Sequence, residues 1–348
     1  MNISDFVRPN IISLKPFSSA RAEFTGSAEV FLDANENPNE SNHNRYPDPH
    51  HNQVREALSL QKNVDKSSIL LGNGSDEIID MIIRTFCEPG KDILRSISPT
   101  FGMYEVGAAI NDVTLEKVAL LDDFGLDVAA CLEGQTEKHK VLFLCSPNNP
   151  TGNSLAEEKL VEVIKLWKGI VVVDEAYIDF SDKNSLINRL SEFSNLIILQ
   201  TFSKAWAAAG LRIGMCFANT EIIGFLNKVK PPYNLGSHTQ KEALEILNNS
   251  VVQSEQILVI KEERDRLVVF LNEVSGVEKI FPSDANFLLI RLKYHLELKD
   301  FLETRGIIVR DRSKLPGCEE CLRITVGLHR ENARLIAAIN EFYALKNK

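Results

Sequence analysis

No stretch of this 348-residue chain approaches the ~20 consecutive apolar residues that a helix needs to cross a bilayer. The opening MNISDFVRPNIISL has no basic start leading into an apolar core, so it does not read as a secretory signal, and the cytoplasm is the expected compartment. Basic residues are outnumbered, 39 Lys and Arg against 48 Asp and Glu, for a formal net charge of -9. That balance argues against a nucleic-acid partner, which demands a basic face. Internal repeats and low-complexity blocks are missing. So is any second CxxC or HxxxH to complete a zinc site around Cys318 and Cys321, since a structural zinc takes about four ligands. With Cys87, Cys131, Cys145 and Cys216 these read as reduced, buried cysteines, and no metal is expected. His43, His50 and His51, around Tyr46, read as part of a solvated, proline-rich loop.

The chain does have ordinary globular composition, 44% apolar and 25% charged, and a length beyond what one core usually serves. Short apolar, β-branched runs (residues 69–71, 141–145, 170–173, 196–199 and 213–217) alternate with helical periodicity, as over 76–87 and 155–167. Runs apolar on both faces suit a mostly parallel sheet covered by helices, which places ligand chemistry beyond the strand ends. Past about residue 235 the pattern changes. A long helix is expected over roughly 240–274, with Lys261–Arg266 as a solvated charged face. Short strands at 287–291, 307–309 and 322–326 and a closing helix from about Arg330 follow. The expected fold is a large, doubly wound α/β domain (31–240) with a smaller α+β C-terminal domain (241–348), preceded by an irregular arm (1–30).

Chemistry gathers just after the apolar runs. In Thr201-Phe202-Ser203-Lys204 a lysine follows a strand, where desolvation lowers its pKa toward the neutral amine that Schiff-base chemistry needs. Arg212, eight residues on, is a cation suited to phosphate. Asp174 ends another strand in VVVDEAY; a buried acid there needs a cation or strong donor, and a pyridinium nitrogen would serve, although a helix N-cap also uses aspartate. Asn149 lies in SPNNPTG, whose prolines and glycine suit a turn. Gly74, Ser75 and Asp76 follow a strand and open a helix, a combination that caps the helix and equally binds an anion.

Together SPNNPTG, VVDEAY and TFSK with its later arginine resemble the fold-type I, pyridoxal-phosphate-dependent aminotransferases. LDANENP, RYPDP, FCEPGKD, PTFGMY, VRDRSKLPG and CLRITVG narrow the resemblance to the histidinol-phosphate aminotransferases, across nearly the whole chain. The resemblance implies that Lys204 carries the cofactor and shuttles the substrate proton, that Asp174 pairs with the pyridine nitrogen, and that Asn149 and Tyr177 bond the ring hydroxyl oxygen. Phe101 stacks on the ring, while Gly74, Ser75, Asp76, Thr201, Ser203 and Arg212 surround the phosphate. Arg323 reads the substrate anion with Arg310 as helper, near Asn149 and Phe17. Phe17 and Phe101 both stand where the family often has tyrosine. It further implies amino transfer between histidinol phosphate and 2-oxoglutarate by two half-reactions. A homodimer is implied too, in which Tyr46, in a stretch too proline-rich for a helix, reaches the partner's cofactor phosphate. An aromatic-amino-acid aminotransferase and a phosphothreonine decarboxylase are the nearest rivals, since both would use Lys204 and Asp174 alike.

Overall fold

A computed structural model describes residues 2–18, 20–24, 26 and 28–346. Seven strands build the large sheet: β1 (Ile69–Asn73), β2 (Ile93–Ser98), β3 (Thr114–Ala119), β4 (His139–Cys145), β5 (Ile170–Asp174), β6 (Leu196–Thr201) and β7 (Ile213–Ala218). They lie in the order β1-β7-β6-β5-β4-β2-β3. Every pairing from β6 through β3 is parallel, and β7 alone runs against its neighbours. The sheet is therefore mostly parallel and covered on both sides, as the two-faced apolar runs imply. Along β5 the side chains divide by alternation: Val171 and Val173 enter one core, Ile170 and Val172 the other.

This topology decides where the chemistry falls. With β7 reversed, β1 points the same way as β2 to β6. The segments after β1, β2, β4, β5 and β6, and the one entering β7, all emerge at one edge of the sheet, the place where open α/β sheets bind ligands.

A second, four-stranded sheet follows, ordered β10-β11-β9-β8. Its members are β8 (Val277–Ile280), β9 (Phe287–Leu292), β10 (Arg310–Asp311) and β11 (Cys321–Thr325). All its contacts are antiparallel, and the closing helix His329–Lys346 packs on it through Leu335, Ile339 and Phe342.

Four expectations need correction. The long helix is two, Ser237–Asn248 and Ser250–Asn272; the Asn249 amide bonds the Glu245 carbonyl four residues back, a side-chain bond that competes with helix continuation. Residues 307–309 are not a strand. The Ile307 amide closes the preceding helix on the Leu302 carbonyl, and pairing begins only at Arg310. The charged face is not wholly solvated, because Glu263 and Arg264 are buried. Glu263 accepts from Asn332 at 2.9 Å, and Arg264 donates to the Ala285 carbonyl at 3.0 Å. Finally, His51 is buried, and that burial, with nearby Lys230, pushes its pKa down to about 3.

All six cysteines are free and buried. At the N-terminus Ile3, Val7 and Ile11 pack into the core around Ile79 and Ile82, so the first part of the arm docks on its own chain. Beyond it, Phe17, Phe24, Val30 and Leu32 are exposed. Among the described residues, no helix is long and apolar enough to cross a membrane.

Candidate active site

A cleft of about 560 Å³ opens at the strand-end edge, between the large sheet and the β10–β11 hairpin. It is lined by Ser75, Asp76, Phe101, Asn149, Asp174, Tyr177, Thr201, Ser203, Lys204, Arg212, Arg310 and Arg323, all expected from sequence. Gly74 sits directly behind them. Phe17 and Tyr46 are not brought to it within one chain: Phe17 is 68% exposed, and Tyr46, 52% exposed, stacks on Tyr233 with ring centroids 4.5 Å apart.

One wall is built to receive an anion. Gly74 has φ +78, and a side chain there would collide with the Arg212 guanidinium; one at Gly214 would meet the Ser75 amide nitrogen. Two glycines thus let the N-terminus of the helix Gly74–Phe86 pack against the residues entering β7, and the Gly74 amide bonds the Arg212 carbonyl at 2.8 Å. The next amides of that first turn have no partner inside the helix, and the helix dipole favours negative charge there. Arg212 reaches Ser203 Oγ at 3.3 Å and Asp76 at 3.4 Å. Thr201 and Ser203 join through their hydroxyls at 3.0 Å.

Facing this cradle, Asp174 is fully buried at the end of β5. Its Oδ1 accepts from the Ala176 amide at 3.1 Å and its Oδ2 from the Tyr104 phenol at 2.6 Å. Burial raises its pKa, against the lowering pull of Tyr104. Asn149 bridges two further groups: its amide nitrogen donates to the Tyr177 hydroxyl at 3.3 Å, and its oxygen accepts from Arg323 at 2.6 Å.

Lys204 lies between these walls, its ammonium 5.5 Å from the centroid of the Tyr177 ring. Desolvation in the cleft, then the Arg323 charge, holds its pKa below the usual lysine range, although Asp174 pulls the other way. A buried carboxylate, an anion cradle and a lysine eased toward its neutral form therefore share one cavity, a constellation suited to carbonyl chemistry on a phosphorylated aromatic cofactor.

Sequence reasoning missed two side chains here. Tyr104 lies one turn beyond Phe101, in the helix Met103–Ile110, and the spacing within PTFGMY could have pointed to it. Arg312, two residues after Arg310 in VRDRSKLPG, also lines the cleft.

The chain belongs to the class I and II aminotransferases, whose family model matches residues 23–339. Within that class it is 52% identical over 338 residues to histidinol-phosphate aminotransferase of Parabacteroides distasonis, covering 97% of this chain and 98% of the relative. It is 51% identical over 342 residues to the Christiangramia forsetii enzyme of the same name, covering 98% of each. The histidinol-phosphate aminotransferase of Clostridium acetobutylicum superposes with a TM-score of 0.80 at 25% identity, over 87% of this chain and 92% of that one. An L-threonine-O-3-phosphate decarboxylase of Porphyromonas gingivalis superposes with a TM-score of 0.74, also at 25% identity, over 86% and 91%. The fold is common to both chemistries; the close sequence relatives bear the aminotransferase name.

Proposed function

We propose that this protein is a histidinol-phosphate aminotransferase, exchanging an amino group between histidinol phosphate and 2-oxoglutarate through pyridoxal phosphate. The observation that carries the reading is the single cleft in which a desolvated lysine and a buried aspartate face a wall of arginines. The cofactor fits the residues present. Gly74 and Gly214 let the helix N-terminus close on Arg212 and β7, an arrangement that suits a phosphate, while the buried Asp174 carboxylate, its pKa raised by desolvation, is matched by a protonated ring nitrogen.

When bound, pyridoxal phosphate supplies the electron sink for chemistry at the amino-bearing carbon. Lys204 would hold it covalently and, once freed by the incoming amine, move the proton at that carbon. Asp174 would keep a proton on the ring nitrogen, oriented by Tyr104 and the Ala176 amide. Asn149 and Tyr177 would orient the ring oxygen, and Phe101 would pack on the ring. Ser75, Asp76, Thr201, Ser203 and Arg212 hold the phosphate. Arg323, with Arg310, binds the anion that each substrate presents in its turn. In this reading residues 31–240 hold the cofactor and 241–348 supply the substrate arginines.

A homodimer in the cytoplasm completes the proposal. Tyr46 does not line its own cleft, and the stretch around it exposes Val30 and Leu32, which supports an interface through which its phenol serves the partner subunit. A substrate panel tests the whole reading. Purified protein given 2-oxoglutarate with histidinol phosphate, phenylalanine, tyrosine or phosphothreonine should form glutamate fastest with the first. Preferential turnover of an aromatic amino acid, or release of carbon dioxide from phosphothreonine, would replace it with one of the rival activities.

A further inference from the structure

In the pairing of β10 with β11, Arg310 sits directly opposite Arg323. Residues so placed share a face of the sheet, and like charges there repel. The ladder continues one step: the Arg312 amide donates to the Cys321 carbonyl at 3.0 Å. Arg312, two residues beyond Arg310, therefore returns to that face, and all three arginines line the cleft.

Among the described residues, no carboxylate lies within the 4.0 Å salt-bridge distance of any of the three. Arg323 has the neutral Asn149 oxygen at 2.6 Å. Arg312 is half-buried, and its Nε is buried without a partner. Burial and the charges of Arg323 and Arg310 lower the pKa of Arg312. A wall of three cations with no carboxylate in ion-pair contact, one holding an unmet donor, is matched by an anion that brings more than one charge. The α-carboxylate of glutamate brings one to that point, its second charge lying two methylenes away on the γ-carboxylate. A phosphate monoester brings close to two above its second pKa, near about 6.

We propose that Arg312 is the specificity-determining residue of this cleft, binding the second negative charge of a phosphate monoester, while Arg323 takes the anion common to both substrates. This rests on the aminotransferase reading above. It gives Arg312 a job that the α-carboxylate of glutamate does not need.

The experiment uses holoenzyme and follows each half-reaction separately by the cofactor's absorbance. Arg312→Met keeps the aliphatic stem and drops the charge; Arg312→Lys keeps the charge and loses the fork. The apparent Kd for histidinol phosphate should rise about 10- to 100-fold in Arg312→Met, the usual loss for one charge-assisted contact. Glutamate should change less than about 3-fold, by the same reckoning that it makes no such contact. Wild type should tighten toward histidinol phosphate as pH rises through about 6, Arg312→Met should lose most of that rise, and Arg312→Lys should recover part. Inorganic phosphate, competing with glutamate, should weaken in parallel and reports on Arg312 whichever donor proves natural. Equal losses for both substrates, or unchanged phosphate binding in a variant with normal cofactor absorbance, overturn the proposal. A wild-type protein that ignores histidinol phosphate but loses inorganic phosphate with Arg312→Met would instead leave this anion site standing and overturn the functional reading.

Discussion

The Tyr104 phenol donates to Oδ2 of Asp174 at 2.6 Å from a ring with no exposed surface. Phe143 stacks on that ring at 4.6 Å, and Phe101 meets it edge-on at 5.7 Å. The phenol, held well above its usual pKa by burial and by Asp174, serves as a fixed donor. Tyr104→Phe leaves the packing almost intact but removes a bond to a charged group, worth about 1.5–3 kcal/mol. The expected result is a kcat lowered roughly 10- to 100-fold, with cofactor affinity little changed because the anion cradle is untouched. Single-turnover kinetics beside a cofactor titration check this, and an unaltered rate would reduce Tyr104 to a packing residue.

Lys204→Ala should abolish turnover, since general acid–base catalysis alone contributes typically ~10²–10⁴-fold and the covalent anchor goes with it. Borohydride reduction of the wild type, followed by peptide mapping, should find the cofactor on the peptide containing Lys204. A label on another lysine would overturn the assignment.

Arg323→Leu should weaken both half-reactions, by about 2–5 kcal/mol for the loss of a desolvated charged contact. It also strips the Asn149 oxygen of its 2.6 Å donor. Glutamate saturation kinetics supply the discriminating measurement: normal affinity there would mean that the two substrates place their anions differently.

The neighbour of Asp174 yields a pH dependence. Burial raises the Glu175 pKa to about 7, despite donors from Ser185, the Leu186 amide and Gln200. With a folded pKa above the unfolded value, the native state holds the proton longer. Its contribution to stability is complete below about 4.3, the unfolded value, and is lost as pH rises through about 7. Glu175→Gln should flatten this slope and raise Tm at pH 8 relative to wild type. The Gln200 amide oxygen has no partner, and a turned Gln200 can accept from the new amide. Thermal melts at pH 5 and pH 8 decide; an equal slope in both proteins would show that Glu175 is already ionised in the fold.

If Tyr46 completes the partner's site, mixing Lys204→Ala with Tyr46→Phe should create heterodimers in which one site carries both lesions and the other neither. Activity should then exceed that of either parent in step with subunit exchange. An impaired Tyr46→Phe protein that exchange does not rescue would mean that the tyrosine acts in its own subunit.

The residues legible in sequence share a property: Asn149, Asp174, Thr201 and Lys204 lie within a few residues of a buried strand's end, so local pattern alone aims them at one edge. Tyr104 was passed over because its partner is 70 positions away; its spacing from Phe101 in PTFGMY hints at the cleft but does not tell a phenol aimed at a carboxylate from one filling a core. Arg312 was passed over because the strand was expected at 307–309; moving its start to Arg310 turns three arginines onto one face. His51 and Glu263 look solvated in a polar neighbourhood, and only packing from distant chain buries them. The helix limit erred where the Asn249 side chain captures the Glu245 carbonyl, and the strand limit where the Ile307 amide closes the preceding helix on Leu302.

The reversal of β7 has a practical corollary. Lys204 and Arg212 ride on the one connection that joins β6 to β7, so the lysine and arginine proposed to anchor the cofactor and hold its phosphate are braced by the same two adjacent strands. The arginines facing substrate come from a different hairpin, β10–β11, in a separate sheet. Holding the reagent and choosing the customer are thus encoded in different stretches of chain. Replacing residues 310–322, with Arg323 kept for its charge beside Lys204 and its bond to Asn149, should redirect the enzyme toward a new anion while leaving the cofactor's absorbance as it was.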